Sequence, residues 1–399
     1  MSKSKLNSFS LQNLRFGLLW IASVAIVRPH IVAAQSENSF PEIQLHIYDY
    51  QFNSLKKSKG TELKLNNAVL LVNGDTAHLK DIHLRGNNTL YFQRKSLSVD
   101  LKKSVAVIQG GQEISLKKFH LLNLSMDKNL WHNRWSYLIL KELGLFPSFH
   151  SFCTVTINNN PQGIYLLVEK PQHAAEALQS PYIIRRGVKH TIDHDYQETK
   201  SKADVKQYKD QYYSLYKTKS FQGEALYDHL NNALDLHLYF KWLAFNYLIM
   251  NGDYADELFL YINPKTNKYD VIAWDYDDLF MISPHEGLEA RSQQYKKRLI
   301  FSLEDELDLT IASDDFVYAR YQETLAELFS VCDDNLLSAT ADQVLAELTS
   351  LSKDTINGKT SLYLDKEPFA IEDAQYDINK SIDYLKSRRA LILKELASN

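Results

Sequence analysis

Six carboxylates lie close together in the sequence between residues 251 and 280. Three follow a long apolar segment and three follow the apolar run YDVIAW: Asp253, Asp256 and Glu257, then Asp275, Asp277 and Asp278. Carboxylates gathered at the end of a buried strand repel one another unless a cation or a substrate lies among them. Mg²⁺ prefers such oxygen ligands and is typically held by one or two carboxylates together with substrate phosphates. The cluster therefore predicts a metal-assisted transfer site.

Phosphoryl transfer needs a metal, a cation that holds the nucleotide phosphates, and a base for the acceptor hydroxyl. The acidic residues after YDVIAW are candidates for the metal, and Asp253 is the candidate base. The candidate cations lie upstream: Arg85 in the turn LRGNNT and Lys95 at the start of KSLSVDL. Alternation places Lys95 on the apolar face of its strand, where a lysine needs a carboxylate or an anion as its partner.

Glu169 is similarly placed, because it closes the nearly continuous apolar strand GIYLLVEK. It is a candidate partner of Lys95 or Arg85. The alternative is that Lys95 and Glu169 are strand-end residues that reach solvent, since lysine buries its stem easily while its charge stays in water.

The elements that must position these residues suggest a β-rich first part and a helical second part. Strand patterns run from Ile43 to Val107, and a hairpin joins CTVTINN to GIYLLVEK. The polar, Lys/Tyr-rich segment Lys189–Ser220 predicts an exposed insertion or a mobile loop. The predicted helices are Lys128–Leu143 with Asp127 as its cap, a long Gly223–Met250, and three later segments near Phe316–Val331, Asn335–Leu351 and Ile378–Leu396.

These patterns predict an α+β fold of two lobes. The β-rich N-terminal lobe would span about residues 40–188 and the mostly helical C-terminal lobe about residues 221–399, with the acidic metal site at the start of the second lobe. A cleft between two lobes is a natural place for a ligand.

Residues 1–34 have the pattern of a secretory signal peptide. Three basic residues precede the apolar run Phe16–Val27, and Val32-Ala33-Ala34 is a small-residue cleavage site. We expect an exported protein, periplasmic, secreted or cell-surface, without a transmembrane span after cleavage; the alternative is an uncleaved N-terminal anchor. Cleavage would remove four basic residues and no acid, and would take the net charge from −4 to −8. So acidic a chain argues against nonspecific nucleic-acid binding.

The composition fits a large globular core. The 399 residues are 45% hydrophobic and 12% aromatic, which argues against disorder. The two cysteines, Cys153 and Cys332, could pair in an oxidising compartment or could be packing residues, and the sequence does not decide between these alternatives.

Four sequence blocks between about Ile43 and Phe280 resemble, in order, the signature blocks of the CotH kinase family, atypical protein-kinase-like proteins named after a spore coat protein. The blocks are LRGNNTLYFQRKSLSVDL, FHLLNLSMDKNLWHNRWSYLILKELGLFP, INNNPQGIYLLVEK, and NGDYADELFLY with YDVIAWDYDD. The resemblance implies a kinase-like two-lobed fold with ATP and Mg²⁺ or Mn²⁺ as cofactors. It implies these site residues: Lys95 for the nucleotide phosphates, Asp253 in the catalytic loop, and Asp275 with Asp277 as metal ligands. Arg85 and Glu169 lie in matching blocks and are assigned to nucleotide binding.

Two features depart from the family pattern. Glu257 stands where many members have an asparagine, and its carboxylate could bind a metal and favour a second ion or Mn²⁺. The run after the acidic strand adds Asp278, His285 and Glu286, of which Asp278 is assigned as a metal ligand, while His285 and Glu286 could be simple loop residues. No glycine-rich G-x-G-x-x-G loop is present, so the RGNNT turn would have to hold the phosphates.

Three functions compete. The first is an exported kinase that transfers a phosphoryl group from ATP to a hydroxyl of an unknown protein or glycan acceptor. The second is a metal-dependent glycosyltransferase that uses Asp275 and Asp277 to hold a sugar nucleotide, although the first lobe lacks alternating βαβ units. The third is a catalytically silent, kinase-like surface or coat protein, or a polysaccharide-associated binding protein.

Overall fold

A large β-sheet forms the N-terminal part of the chain in the computed structural model. The structure describes residues 40–58, 63–86, 88–109, 112–198, 201–285, 295, 297–353, 355–356, 359–360 and 369–398. The strand order in the sheet is β3-β2-β1-β7-β8-β6-β5-β4. These strands are Glu42–His46 (β1), Val69–Val72 (β2), Asp75–Ala77 (β3), Leu79–Leu84 (β4), Leu97–Gln109 (β5), Gln112–Leu122 (β6), His150–Ile157 (β7) and Asn160–Glu169 (β8).

The two faces of this sheet differ because side chains alternate along each strand. One face carries Ile82, Val99 and Phe119, which are fully buried in an apolar core. On the other face the strand register aligns His83 with Ser98 on β5, and Ser98 with His120 on β6. The large sheet therefore has one apolar face and one polar face.

A second, smaller sheet positions the acidic segment. Its strand order is β10-β9-β11-β12, with the strands Tyr182–Arg186 (β9), Ile192–Gln197 (β10), Leu258–Ile262 (β11) and Tyr269–Ala273 (β12). In the antiparallel hairpin of β11 and β12, Leu258 pairs with Ala273. The loop before β11 and the residues after β12 consequently meet at the same edge of the sheet.

Helices form most of the remaining described chain. They are Asp49–Lys57 (α1), His132–Glu142 (α2), Pro171–Ala177 (α3), Lys202–Ser214 (α4), Gly223–Ala233 (α5), Leu236–Ile249 (α6), Glu306–Ser313 (α7), Asp315–Val331 (α8), Asp334–Lys353 (α9) and Ile371–Ser398 (α10). A two-stranded ribbon of Thr355–Ile356 (β13) and Lys359–Thr360 (β14) follows α9. Helix α6 lies in a second apolar core. None of the helices in the described ranges is long and apolar enough to span a membrane.

The segment Lys189–Ser220 differs from the expected insertion or loop. Strand β10 joins the small sheet, and α4 is a regular helix whose Ser201 cap accepts a hydrogen bond from the Asp204 backbone N–H at 3.2 Å. Tyr212 on α4 is fully buried and Tyr208 packs against the same core. The tyrosines supply the apolar face that the polar composition of the segment concealed.

The predicted helix Gly223–Met250 is two helices, α5 and α6. Leu234 between them is extended, with φ −133° and ψ 142°. The Asp235 backbone N–H donates to the Tyr269 carbonyl at 2.8 Å, and the Asp235 carboxylate caps α6 by accepting from the Leu238 N–H at 3.1 Å. A capping aspartate thus starts a new helix inside a continuous apolar run.

The prediction of an α+β fold with a sheet-rich N-terminal part and a helical C-terminal part is confirmed. The signal-peptide prediction for residues 1–34 falls outside the described residues. Cys153 and Cys332 are free, buried thiols that lie in different apolar cores, so they do not pair in this structure.

Candidate active site

A cavity of about 460 Å³ collects the predicted acidic residues. Five of the six clustered carboxylates line it, all except Asp256, and so does one predicted cation: Asp253, Glu257, Asp275, Asp277, Asp278 and Arg85. Asp127, Asn133, Arg185 and His285 also line it. The sequence-based grouping of these six predicted residues therefore corresponds to one place in the structure.

Backbone hydrogen bonds hold the acidic loop against the segment after β12. The Gly252 N–H donates to the Asp278 carbonyl at 2.9 Å, and the His285 N–H donates to the Gly252 carbonyl at 2.9 Å. A Cβ atom on Gly252 would lie 2.2 Å from Asp278 Oδ2, so only glycine lets this carboxylate approach the loop. In this arrangement His285 Nε2 lies 2.5 Å from Asp278 Oδ2.

The start of α2 positions the segment that follows β12. Asn133 Oδ1 accepts a hydrogen bond from the Tyr276 N–H at 2.9 Å, and His132 Nδ1 lies 3.3 Å from the Asp277 carbonyl oxygen. Asp275 has a φ of 48°, in the left-handed region, which aspartate tolerates better than most residues. This turn directs the chain sharply after the strand and brings its carboxylates to the cavity.

Asp127 holds the start of α2. Its two carboxylate oxygens accept the backbone N–H groups of His132 and Asn133, each at 2.8 Å, and the carboxylate is fully buried. The cap identified in the sequence thus lies in the wall of the cavity. It is a structural element of the site that sequence reasoning did not include among the site residues.

A buried arginine on β9 supports the acidic loop from the other side. Arg186 donates from Nε to the Ala255 carbonyl at 2.7 Å and from Nη1 to the Tyr239 hydroxyl at 2.7 Å. The Tyr239 hydroxyl in turn donates to Asp308 Oδ1 at 2.5 Å. The loop that carries Asp253 is therefore tied to α6 and α7 through one buried polar network.

Burial and the neighbouring carboxylates raise the pKa of two acids in the cavity. Burial raises the pKa of Glu257 well above its usual range, and the Asp275 carboxylate adds to the shift, while Arg185 opposes it. Arg185 Nη2 donates to Glu257 Oε1 at 2.8 Å. Burial likewise raises the pKa of Asp277, with the Asp275 carboxylate as the next cause. Both shifts report negative charge that the protein alone does not neutralise.

The donor set fits a hard divalent cation, since it consists of carboxylate oxygens. Within the described ranges, however, no three His, Cys, Asp or Glu side chains are arranged around a common point as a ready metal site. Mg²⁺ does not require three protein ligands, because one or two carboxylates with substrate phosphates and water commonly suffice. The geometry is therefore compatible with a cation that arrives with a phosphate ligand, and the metal roles of Asp275, Asp277, Glu257 and Asp278 stay predictions.

Arg85 is the predicted cation that the structure places in the cavity wall. Its guanidinium lies 5.8 Å from the ring centre of Trp274, and among the described residues it has no hydrogen-bond or ion-pair partner. Gly86, next to it, has a φ of 89°, and a Cβ atom there would lie 2.0 Å from Thr89 Oγ1. A half-buried arginine without a carboxylate partner is suited to bind an anion.

Lys95 and Glu169 do not line the cavity. Lys95 precedes β5, and its ammonium donates to the carbonyl oxygens of Leu90 and Phe92 at 2.6 and 2.5 Å. Glu169 accepts from the Phe149 N–H at 3.0 Å and lies 2.5 Å from His173 Nδ1, so it pairs with neither Lys95 nor Arg85. The geometry gives no support to the nucleotide-binding roles predicted for these two residues.

Lys95 does not reach the cavity because of the direction in which side chains alternate along its strand. Residues with the phase of Lys95 lie on the apolar face of the large sheet, and the cavities lie on the polar face, the face of Ser96 and Ser98. Sequence reasoning also missed Arg185, although two arginines at the end of the apolar strand YIIRR were a signal of the same kind as Glu169. Glu286 falls outside the described residues.

The family model described as CotH kinase protein matches residues 82–392. This match covers most of the chain, which therefore belongs to the CotH kinase family. The resemblance inferred from the four sequence blocks is confirmed.

Inner spore coat protein H of Bacillus subtilis (strain 168) is 24% identical to the chain over 267 residues, which are 61% of this chain and 70% of that protein. Two solved structures are similar at a TM-score of 0.32. One is a chain of the HipA, HipB and operator DNA complex of Shewanella oneidensis MR-1, at 10% identity, and the other is the proinflammatory kinase CtkA of Helicobacter pylori, at 9% identity. The matches cover 72% of this chain in both cases, and 62% and 94% of the two solved chains.

Proposed function

We propose that this protein is an exported atypical kinase that transfers a phosphoryl group from ATP, with Mg²⁺ or Mn²⁺, to a hydroxyl of a protein or glycan acceptor. One observation carries the proposal: a single cavity holds a group of carboxylates and, in the same wall, the Arg85 guanidinium, which has no hydrogen-bond or ion-pair partner among the described residues. Carboxylates for a cation and an arginine for phosphates are the complementary halves of a metal–nucleotide site. The pattern of residues 1–34 supports export.

The residues would divide the work as follows. Asp275 and Asp277 would hold the cation, which neutralises charge on the phosphate oxygens when bound. Arg85 would hold the phosphates in place. Asp253, which is exposed, would accept the proton of the acceptor hydroxyl. The acceptor oxygen then bonds to the γ-phosphorus while the bond between that phosphorus and the bridging oxygen breaks, and ADP leaves with the electron pair.

Thermal unfolding of the full chain with ATP and Mg²⁺ or Mn²⁺ tests the binding part. At about 100 times its dissociation constant, a ligand adds about 2.7 kcal/mol to the free energy of unfolding, which raises the midpoint measurably. Asp275→Asn should abolish the metal-dependent shift. Asp342→Asn, an exposed carboxylate on α9, is the matched control and should leave the shift intact.

A second variant separates binding from transfer. Asp253→Asn should keep the ATP-dependent shift and lose the formation of ADP, because only the proton acceptor is removed. ADP formation at the wild-type rate in this variant would contradict the role of Asp253. A shift with UDP-sugars and none with ATP would instead favour a glycosyltransferase, and no shift with any nucleotide would favour a catalytically silent binding protein.

A further inference from the structure

A buried cluster of three charged groups supports the acidic loop that precedes β11. Its members are Arg186, Asp305 and Asp308, and all three residues are buried. Arg186 Nη1 lies 3.6 Å from Asp305 Oδ1, and the Tyr239 hydroxyl joins the same Nη1 to Asp308 Oδ1. One cation therefore faces two carboxylates. If both carboxylates were ionised, the cluster would bury a net negative charge, which is costly, and a single proton would remove it.

The hydrogen bonds of the two carboxylates indicate which of them takes this proton. Asp305 accepts from the Leu307 N–H at 2.9 Å and from the Tyr216 hydroxyl at 3.4 Å, so both of its oxygens have a donor. Asp308 accepts only from Tyr239, and its Oδ2 is buried without a hydrogen-bond partner among the described residues. Donors favour the ionised form of a carboxyl group, so the proton belongs on Asp308.

The other groups that face Asp308 keep their charge near neutral pH. Burial raises the pKa of every tyrosine around the cluster well above its usual range, so these side chains stay neutral. Burial lowers the pKa of the arginine, but the acidic groups around it, Asp305 foremost, raise it well above its usual range. These groups are Tyr239 on α6, Tyr254 in the acidic loop, Tyr321 on α8, Tyr216 after α4 and Arg186 on β9.

Arg186 connects this cluster to the acidic loop. Its Nε donates to the Ala255 carbonyl at 2.7 Å, while its Nη2 is buried without a hydrogen-bond partner in the described part of the chain. Because one tyrosine hydroxyl contacts both groups, the guanidinium and the Asp308 carboxyl lie within two hydrogen-bond lengths of each other. An ionised Asp308 would attract the guanidinium and offer Oδ2 to its unused donor. The donors form a rigid fork, so a turn towards Asp308 would misalign the bond to Ala255.

We propose that Asp308 is a proton-operated switch for the acidic loop. When protonated, Asp308 leaves Arg186 bound to Ala255, and the loop that carries Asp253 is held in place. When ionised, it draws Arg186 away from Ala255 and loosens the loop. The only chemical step is the exchange of one proton with solvent. The effect of the switch on phosphoryl transfer rests on the proposed function, whereas the response of the loop requires no nucleotide.

Hydrogen–deuterium exchange of the full chain at pH 6, 7 and 8, without nucleotide, tests the switch. The reporters are the Gly252 and Glu257 amides, which donate to the carbonyls of Asp278 and Tyr254. Each rate is divided by the intrinsic rate at that pH, and the amides of the β7–β8 ladder report global unfolding.

The expected change follows from the pKa of Asp308, which burial raises to about 7. The ionised fraction then rises about tenfold between pH 6 and pH 8, so the protection of both reporters should fall by up to about tenfold in the wild type. Asp308→Asn should keep the protection high at all three pH values. Asp342→Asn, an exposed carboxylate on α9, is the matched control and should behave like the wild type.

Tyr239→Phe keeps the ring and removes the hydroxyl that donates to Asp308. The ionised carboxylate loses a donor, so the fall in protection should move to higher pH. A merely structural role of Tyr239 would instead lower the protection equally at every pH. This variant also keeps the test available if Asp308→Asn does not fold.

Protection that is independent of pH in the wild type, or that falls equally in Asp308→Asn, overturns the switch. If such a protein still forms ADP, the kinase proposal stands without it. A fall in protection that requires Asp308, in a protein that binds no nucleotide, supports the switch and overturns the kinase proposal. If both proposals hold, the rate of ADP formation by Asp308→Asn, divided by that of the wild type, should rise from pH 6 to pH 8; a constant ratio would overturn the link to transfer.

Discussion

Asp308→Asn should change how the free energy of unfolding depends on pH. Asp308 is fully buried beneath the acidic loop, and burial raises the pKa of its carboxyl from 3.8 to about 7, although Arg186 opposes the shift. Between these two pH values the folded protein keeps a proton that the unfolded chain has lost. The protonated Asp308 carboxyl therefore makes its full contribution to the free energy of unfolding below about pH 4. This contribution is lost as the pH rises towards 7.

The expected size follows from the interval between 3.8 and about 7. At roughly 1.4 kcal/mol per pKa unit, this interval corresponds to about 4 kcal/mol. Asparagine cannot titrate, and its side-chain oxygen can still accept the hydrogen bond from the Tyr239 hydroxyl. As the pH rises from about 4 to about 8, the free energy of unfolding of Asp308→Asn should therefore increase by about 4 kcal/mol relative to that of the wild type.

Urea unfolding followed by tryptophan fluorescence, repeated across this pH range, measures the effect. The difference between variant and wild type removes the contribution of the other carboxylates, which titrate in both proteins. Asp342→Asn on the exposed face of α9 controls for the loss of one charge. Curves of stability against pH that run parallel for the wild type and Asp308→Asn would refute the assignment of a raised pKa to this residue.

Three further results are expected. Glu347→Gln should lower the free energy of unfolding, measured by urea titration, by about 3–5 kcal/mol, because it leaves the buried Arg134 charge without its bidentate partner. The double variant Arg134→Met with Glu347→Leu should recover most of this loss, and no recovery would contradict the reasoning. Gly86→Ala should weaken ATP binding about tenfold in a calorimetric titration, because φ is 89° there and a Cβ would collide with a threonine side chain; unchanged affinity would argue against a phosphate-binding turn. Cys153 and Cys332 should not react with a thiol reagent until the chain unfolds, since burial raises the pKa of both thiols; rapid reaction of the folded protein would contradict their burial.

The acidic cluster could be predicted from sequence because it depends on one local hairpin. Once β11 and β12 pair, the residues before Leu258 and after Ala273 must lie at the same edge. Short-range pairing of this kind leaves little freedom in where Asp253 and Asp275 go. The family blocks reinforced the same prediction.

The rest of the site depended on distant contacts or on strand phase. Asp127 and Arg185 reach the cavity only through tertiary packing, which no local pattern specifies. Lys95 was assigned from its position on the apolar face of its strand, but the cavities lie on the opposite face of the sheet. Neighbouring residues of a strand lie on opposite faces, so an assignment that is wrong by one residue selects the wrong face. Glu169 shows this, because the next residue, Lys170, is the one that lines a cavity.

Helix α10 contacts the supports on both sides of the acidic site. Asp377 Oδ2 accepts hydrogen bonds from Asn129 Nδ2 at 2.9 Å and Trp131 Nε1 at 3.0 Å, just before α2. Arg388 donates to the carbonyl oxygens of Tyr247 and Leu248, at the end of the helix that leads into the acidic loop. During synthesis, the sheet and the carboxylates leave the ribosome well before residues 371–398 do. The site would therefore gain its final supports late, when nearly all of this sequence has been translated, and a nascent chain would carry its acidic residues without the framework that orders them.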